Sequence, residues 1–170
     1  QQGFRPLCLG KTENGYVLSS ESCAFDAIKA EFIRHIDPGE MVIIDDSGVR
    51  STIYAEPEKI DKKLCVFEYI YFARGDSHID GQSVYQSRLN MGRELYNETK
   101  YDADIVMSIP DSGTTAALGY ARASGIPFAE GLVKNRYSGR TFIKPNQEER
   151  ELAVRMKLNA CLLYTSPSPR

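Results

Sequence analysis

The stretch Asp104–Lys144, DIVMSIPDSGTTAALGYARASGIPFAEGLVKNRYSGRTFIK, decides how this chain folds. Ile105 to Ile109 is a short apolar run suited to a buried parallel strand. Pro110–Gly113 has turn composition, and Thr114–Ser124 reads as a helix of small residues that Gly125 ends, since glycine accepts the left-handed conformation that closes a helix. Ile126–Pro127–Phe128 and Leu132–Val133 supply the next strand. Strand, loop, helix, strand is the βαβ order, which predicts a parallel α/β sheet. The loop Pro110–Thr115 then lies at the carboxyl end of a strand, where such sheets bind ligands.

The composition of that loop suits phosphate. Gly113 lets backbone approach a ligand, Ser112, Thr114 and Thr115 offer hydroxyls, and a helix start presents unpaired N–H groups. Asp111, Ser112 and Thr114 are equally the ordinary residues of a capped turn, so both readings stand on this loop alone. The second element follows the second strand: Lys134, Arg136, Arg140 and Lys144 put four cations within eleven residues, around Tyr137 and Gly139. With little apolar periodicity, this segment is either a solvated charged loop or a basic flap that closes over an anion. Both elements flank the same edge of the predicted sheet, which favours one phosphate-handling site.

Outward from this stretch, Tyr85–Lys100 reads as a helix, with Tyr85, Leu89, Gly92 and Tyr96 near a 3.6 period. Cys65–Phe72 (CVFEYIYF) is a strand-like run dense in aromatics. The polar, proline-containing stretch Ala55–Lys63 marks a boundary between two structural units. Before it, Tyr16–Ser19 reads as a strand, and Ser22 as the cap of a helix from about Ala24 to Ile36 with Phe25, Ile28, Phe32 and Ile36 on one stripe. Met41–Asp45 and Val49–Tyr54 flank Asp46–Ser47–Gly48 as a hairpin. The first part is α+β in character and the second α/β.

The 170 residues are 42% hydrophobic, enough for a real core, and the net charge of -2 provides no basic field for nucleic acid. No apolar run approaches the roughly 20 residues a membrane-spanning helix needs, and the expectation is a cytoplasmic protein. Cys8, Cys23, Cys65 and Cys161 form no CxxC pair, so reduced thiols are expected. His35 and His78 lack a partner motif and read as surface or helix-end residues. At the end of the chain, residues 161–170 alternate Ser and Pro without packing logic and read as a non-native tail.

Three runs now become recognisable: Cys65-Val66-Phe67-Glu68-Tyr69-Ile70-Tyr71-Phe72-Ala73-Arg74, Ile109-Pro110-Asp111-Ser112, and Lys134-Asn135-Arg136-Tyr137-Ser138-Gly139-Arg140-Thr141-Phe142-Ile143. Together with Gly3-Phe4-Arg5-Pro6-Leu7 and Ser20-Glu21-Ser22, they resemble the amidophosphoribosyltransferase family, in order, across Gly3 to Asn159. Members of that family join an N-terminal-nucleophile glutaminase domain to a type I phosphoribosyltransferase domain. They make 5-phosphoribosylamine from phosphoribosyl pyrophosphate and glutamine, the committed step of purine synthesis. The resemblance implies that residues 1–60 are the later part of the glutaminase domain and 61–160 the first part of the transferase sheet. It further implies that the nucleophilic cysteine precedes residue 1, that the ribose-phosphate loop follows Asn159, and that the chain alone is inactive.

By the same resemblance Asp111, Ser112, Gly113 and Thr114 form the pyrophosphate loop, with Ser112 facing Mg²⁺. Lys134, Arg136, Tyr137 and Arg140 form a hood over the substrate, with Arg140 stabilising the leaving pyrophosphate, and purine nucleotide inhibitors share the site. Cys65 is either a ligand of a 4Fe-4S cluster, as in one branch of the family, or a plain core residue. The resemblance also implies a homo-oligomer. Gly75 departs from the family, which usually has proline there in an Arg-Pro-Asp-Ser run. Two further readings remain: another type I phosphoribosyltransferase, and a non-catalytic module that senses purine nucleotides.

Overall fold

The computed structural model describes residues 2–139 and 141–161. Its contacts divide the chain into two compact units between Ser87 and Arg88, within one helix. Both mix helices with small sheets.

The first unit opens with β1 (Cys8–Thr12) and β2 (Gly15–Ser19), an antiparallel hairpin pairing Cys8 with Ser19 and Thr12 with Gly15. Next come α1 (Cys23–Ile28) and β3 (Glu31–His35), and β3 pairs with the other edge of β1, so the strand order is β2-β1-β3. Cys8, Leu9, Cys23 and Phe25 are buried at this core. The predicted helix to Ile36 is therefore wrong in its second half. Lys29 takes the left-handed conformation (φ 55°) and its N–H bonds to the Asp26 carbonyl, which ends α1. Phe32 instead pairs opposite Gly10, and the absence of a side chain at Gly10 admits the Phe25 ring. Of the apolar residues at helical spacing, Phe25 is buried from the helix while Phe32, on the strand, is partly exposed with its ring centre 6.2 Å from that of Phe25. Ser22 holds the cap position of α1 without capping it; its hydroxyl accepts the His78 N–H at 2.8 Å.

β4 (Glu40–Asp45) and β5 (Gly48–Ile53) form the expected hairpin, closed by Asp46 and Ser47, with Gly48 at φ 112°. Arg34 grips Glu40 through both guanidinium nitrogens, and the Asp37 N–H also donates to the Glu40 carboxylate at 2.9 Å. Cys65–Phe72 is not a strand: Glu68–Phe72 winds as a π-helical turn, the Ala73 N–H reaching the Glu68 carbonyl five residues back. The Glu68, Tyr69 and Ile70 N–H groups bond back to the Cys65 and Val66 carbonyls, so these donors are satisfied within their own run and none is left for a ladder. The Tyr69 hydroxyl donates to the Ile79 carbonyl, and the buried Glu68 pairs with Arg5, whose guanidinium also lies 4.5 Å from the centre of the Phe72 ring. Ala73, Ile79 and Val84 make a second small core, with Leu64 and Tyr69 against it. The short hairpin β6 (His78–Ile79) and β7 (Gln82–Ser83) leads into α2 (Val84–Glu98).

The second unit is organised by the crossing of α2 with α3 (Thr114–Ser124). At the crossing, a side chain on Gly92 would overlap the Ala116 carbonyl, and one on Gly119 would overlap the Leu89 carbonyl, so backbone packs directly on backbone. The Tyr96 and Tyr120 rings meet edge to face at 5.4 Å, and the Tyr120 hydroxyl donates to the Thr99 carbonyl and accepts the Tyr101 N–H. Gly125 closes α3 in the left-handed conformation, as its sequence predicts. The parallel pairing of the βαβ reading is present as a single bridge, Val106 to Phe128, in which Val106 donates to the Pro127 carbonyl and accepts from Ala129. Pro127 itself has no N–H to extend a ladder. β8 (Leu132–Lys134) pairs antiparallel with β9 (Leu158–Ala160), which follows α4 (Gln147–Lys157) directly. The Cys161 N–H extends that pairing to the Gly131 carbonyl; residues 162–170 of the suspected tail lie outside the described residues.

Candidate functional site

Ser108 to Thr114 forms the approach to α3. The Gly113 N–H bonds to the Ile109 carbonyl at 3.3 Å and the Thr114 N–H to the Asp111 carbonyl at 3.2 Å, so the turn is closed by its own backbone. Gly113 sits at φ -77°, where any residue is comfortable; what favours glycine is space, since a Cβ would lie 3.0 Å from the Ile109 oxygen and press on it. The Ser108 and Thr114 hydroxyls share a hydrogen bond of 3.1 Å, tying the entry of the loop to the first residue of α3. Asp111 and Ser112 are left exposed at the apex.

Lys134 ends β8, and its ammonium is paired with the Asp111 carboxylate. This ion pair joins the two elements that the sequence singled out separately, across 23 positions. The lysine is 26% exposed and the carboxylate 67%, so the cation is held while its partner faces water. Beyond Lys134, the Asn135 N–H bonds to the Lys157 carbonyl at 2.7 Å, and the Asn135 side-chain oxygen accepts the Tyr137 N–H at 3.0 Å. The Lys157 ammonium reaches the Gly139 carbonyl at 3.2 Å. Arg136 is exposed and Tyr137 fully so; Arg140 lies outside the described residues. Asn135 and Lys157 are thus positioning residues that pattern reading missed. The Asn inside KNRY was the available signal, whereas nothing near Lys157 pointed to the loop.

Cys8 and Cys23 are buried, and burial pushes the Cys8 thiol up to about 11, beyond use as a nucleophile at neutral pH. Its sulfur lies 3.3 Å from His35 Nδ1, and burial lowers the pKa of that imidazole. Cys65 is half-buried, and among the described residues no group of three or more His, Cys, Asp or Glu side chains is arranged to hold a metal ion. The loop apex carries oxygen-bearing side chains of the hard kind, with Asp111 and Ser112 exposed and Thr114 half-buried. One carboxylate with hydroxyls and substrate phosphates fits the way Mg²⁺ is commonly held, without an all-protein cage.

The geometry therefore gives one turn with a carboxylate and hydroxyls, faced by a partly buried ammonium at the root of a basic loop. No protein-family model matches the chain. Curated relatives do: an amidophosphoribosyltransferase of Archaeoglobus fulgidus is 54% identical over 157 residues, 92% of this chain and 34% of the relative. That of Synechococcus elongatus is 55% identical over 161 residues, 92% of this chain and 32% of the relative. The chain matches amidophosphoribosyltransferase over a part of its length. A solved structure of the Bacillus subtilis glutamine phosphoribosylpyrophosphate amidotransferase, complexed with ADP and GMP, superposes with a TM-score of 0.82 at 50% identity, covering 94% of this chain and 34% of that one. A second, described as the allosteric regulatory enzyme of purine biosynthesis, gives 0.83 at the same identity. The chain spans about a third of the length of these amidophosphoribosyltransferases. No helix among the described residues is long and apolar enough to cross a membrane.

Proposed function

We propose that this chain supplies the pyrophosphate loop and hood of a cytoplasmic enzyme that makes 5-phosphoribosylamine from phosphoribosyl pyrophosphate and glutamine. The observation that carries the reading is the Lys134–Asp111 apposition, which brings the two recognised motifs together in a chain 54% identical to such an enzyme. Transfer at the ribose anomeric carbon leaves negative charge on the departing pyrophosphate. Lys134, Arg136 and Arg140 meet that charge, while Tyr137 and the rest of the hood exclude water from the incoming ammonia. Asp111, Ser112 and Thr114 would hold Mg²⁺ with the substrate's phosphates, and the ion would neutralise the leaving group. Purine nucleotides are read as inhibitors at this same site, in line with the ADP and GMP of the Bacillus subtilis complex. Cys65 stays open between a plain core residue and one thiolate of a 4Fe-4S cluster, which takes four.

The test is made in an amidophosphoribosyltransferase that carries this stretch. Arg140→Ala is expected to slow ammonia-dependent formation of phosphoribosylamine about 100-fold, as loss of one transition-state donor does, with glutamine hydrolysis intact. Unchanged transfer kinetics would remove Arg140 from the mechanism.

A further inference from the structure

We propose that Asp111 is a built-in competitor for the phosphate-binding lysine, so that the site admits magnesium-bound pyrophosphate groups and discriminates against the metal-free anion. The proposal rests on the phosphate reading of the loop given above. Its basis is the ion pair itself: the ammonium meant to meet substrate phosphate is occupied by a carboxylate of the opposite loop.

The two partners are held unequally. Lys134 is anchored by the β8–β9 pairing, in which it lies opposite Leu158, and by the Asn135 N–H bond to Lys157 just beyond it. Asp111 lies on a turn, and with 67% of its side chain exposed it can leave the lysine for water or another cation at small desolvation cost. The lysine, 26% exposed, would instead be left with an unpaired, partly desolvated charge. Opening of the pair thus moves the carboxylate and leaves the ammonium ready for a new anion.

Two anions then compete for one cation. Metal-free pyrophosphate must displace Asp111 and remain beside its negative charge. Magnesium-bound pyrophosphate brings a hard cation that attracts the carboxylate, so the displaced Asp111 gains a partner as Lys134 is released to phosphate oxygens. No bond is made or broken; one set of charge pairs replaces another.

The experiment is calorimetric titration of an amidophosphoribosyltransferase that carries this stretch with inorganic pyrophosphate, in excess magnesium and in excess chelator. Asp111→Asn is expected to tighten chelator-condition binding about twofold over the parent, the scale of one exposed ion pair, and to shrink the gain from magnesium by about the same factor. In Asp111→Asn/Lys134→Gln that tightening should disappear. Circular dichroism spectra that superpose on the parent's secure the comparison, as expected for an exposed Asp111. If Asp111→Asn binds metal-free pyrophosphate no better than the parent, while the parent binds the magnesium form, competition is overturned and the phosphate site stands. If the tightening persists without Lys134, it comes from lost repulsion alone, and the proposal again fails. If the parent binds neither form, the phosphate reading falls together with it.

Discussion

Arg34–Glu40 in the first unit and Lys134–Asp111 in the second are both cation–carboxylate pairs, but their surroundings differ. Glu40 has 5% of its side chain exposed, takes two guanidinium bonds, and accepts the Asp37 N–H as well. Asp111 is 67% exposed and meets one ammonium. A buried carboxylate with three donors cannot exchange partners without losing most of its solvation, so that pair fixes the start of β4 against the end of β3. An exposed carboxylate on one donor can exchange, and it sits where two loops with ligand chemistry meet. Similar charges therefore serve architecture in one place and, on the proposal above, exchange in the other, with burial as the difference between them.

The largest expected effect concerns what places the exchangeable pair. Gly119→Ala would drive a methyl group into the Leu89 carbonyl, and neither backbone can yield without parting α2 from α3. We expect a loss of about 3 kcal/mol, at the upper end for overpacking, read from urea denaturation. Pyrophosphate binding should weaken too, because α3 carries the loop at its amino end. Wild-type stability in this variant would mean that the helices slide freely and that the site does not depend on their contact.

Next in size is the direct contrast between the two pairs. Glu40→Gln should cost about 2 kcal/mol, since Arg34 loses its charged partner in a partly buried setting, whereas Asp111→Asn should stay within about 0.5 kcal/mol. Acid titration sharpens this. The hydrogen bond from Arg34, with help from the Asp37 N–H, holds the Glu40 carboxyl at about 2, below the ordinary 4.5. A depressed folded-state pKa gives stability that is complete above the unfolded value and is lost as pH falls from about 4.5 through about 2. The parent should lose stability across that window and Glu40→Gln should lose less; parallel curves would show that the pair is not what acid attacks.

The same contrast explains what the sequence could reveal. Local chemistry was legible: the Asp46–Ser47 hairpin loop, the helix Thr114–Ser124 and its Gly125 terminus all follow from residues that act on their own backbone. Shared demands were not. Phe32 left a helical stripe to pair with β1, and Cys65–Phe72 closed its hydrogen bonds within its own run while Glu68 and Tyr69 took partners outside it, Arg5 and the Ile79 carbonyl. At the site, composition named Asp111 and Lys134 as members of two loops. Their pairing is a contact over 23 residues that no period encodes, and Lys157 joins only because α4 and β9 bring it back to the hood.

The smallest effect tests how far the basic loop depends on that return. Asn146 caps α4 reciprocally, accepting the Glu149 N–H at 2.8 Å and donating to the Glu149 carboxylate at 2.9 Å. The helix contains no buried residue, so its stability leans on this cap and on the Arg150 bond to the Lys144 carbonyl. Asn146→Ala should cost about 1 kcal/mol, seen as faster amide exchange in the first turn of α4 and little change elsewhere. If pyrophosphate binding stays at the parent level, β8–β9 pairing alone seats Lys134, and the ion pair is positioned independently of the helix. If binding weakens along with the cap, the Lys157 contact to Gly139 transmits the state of α4 to the hood, and the exchangeable pair rests on a longer chain of support than the buried one.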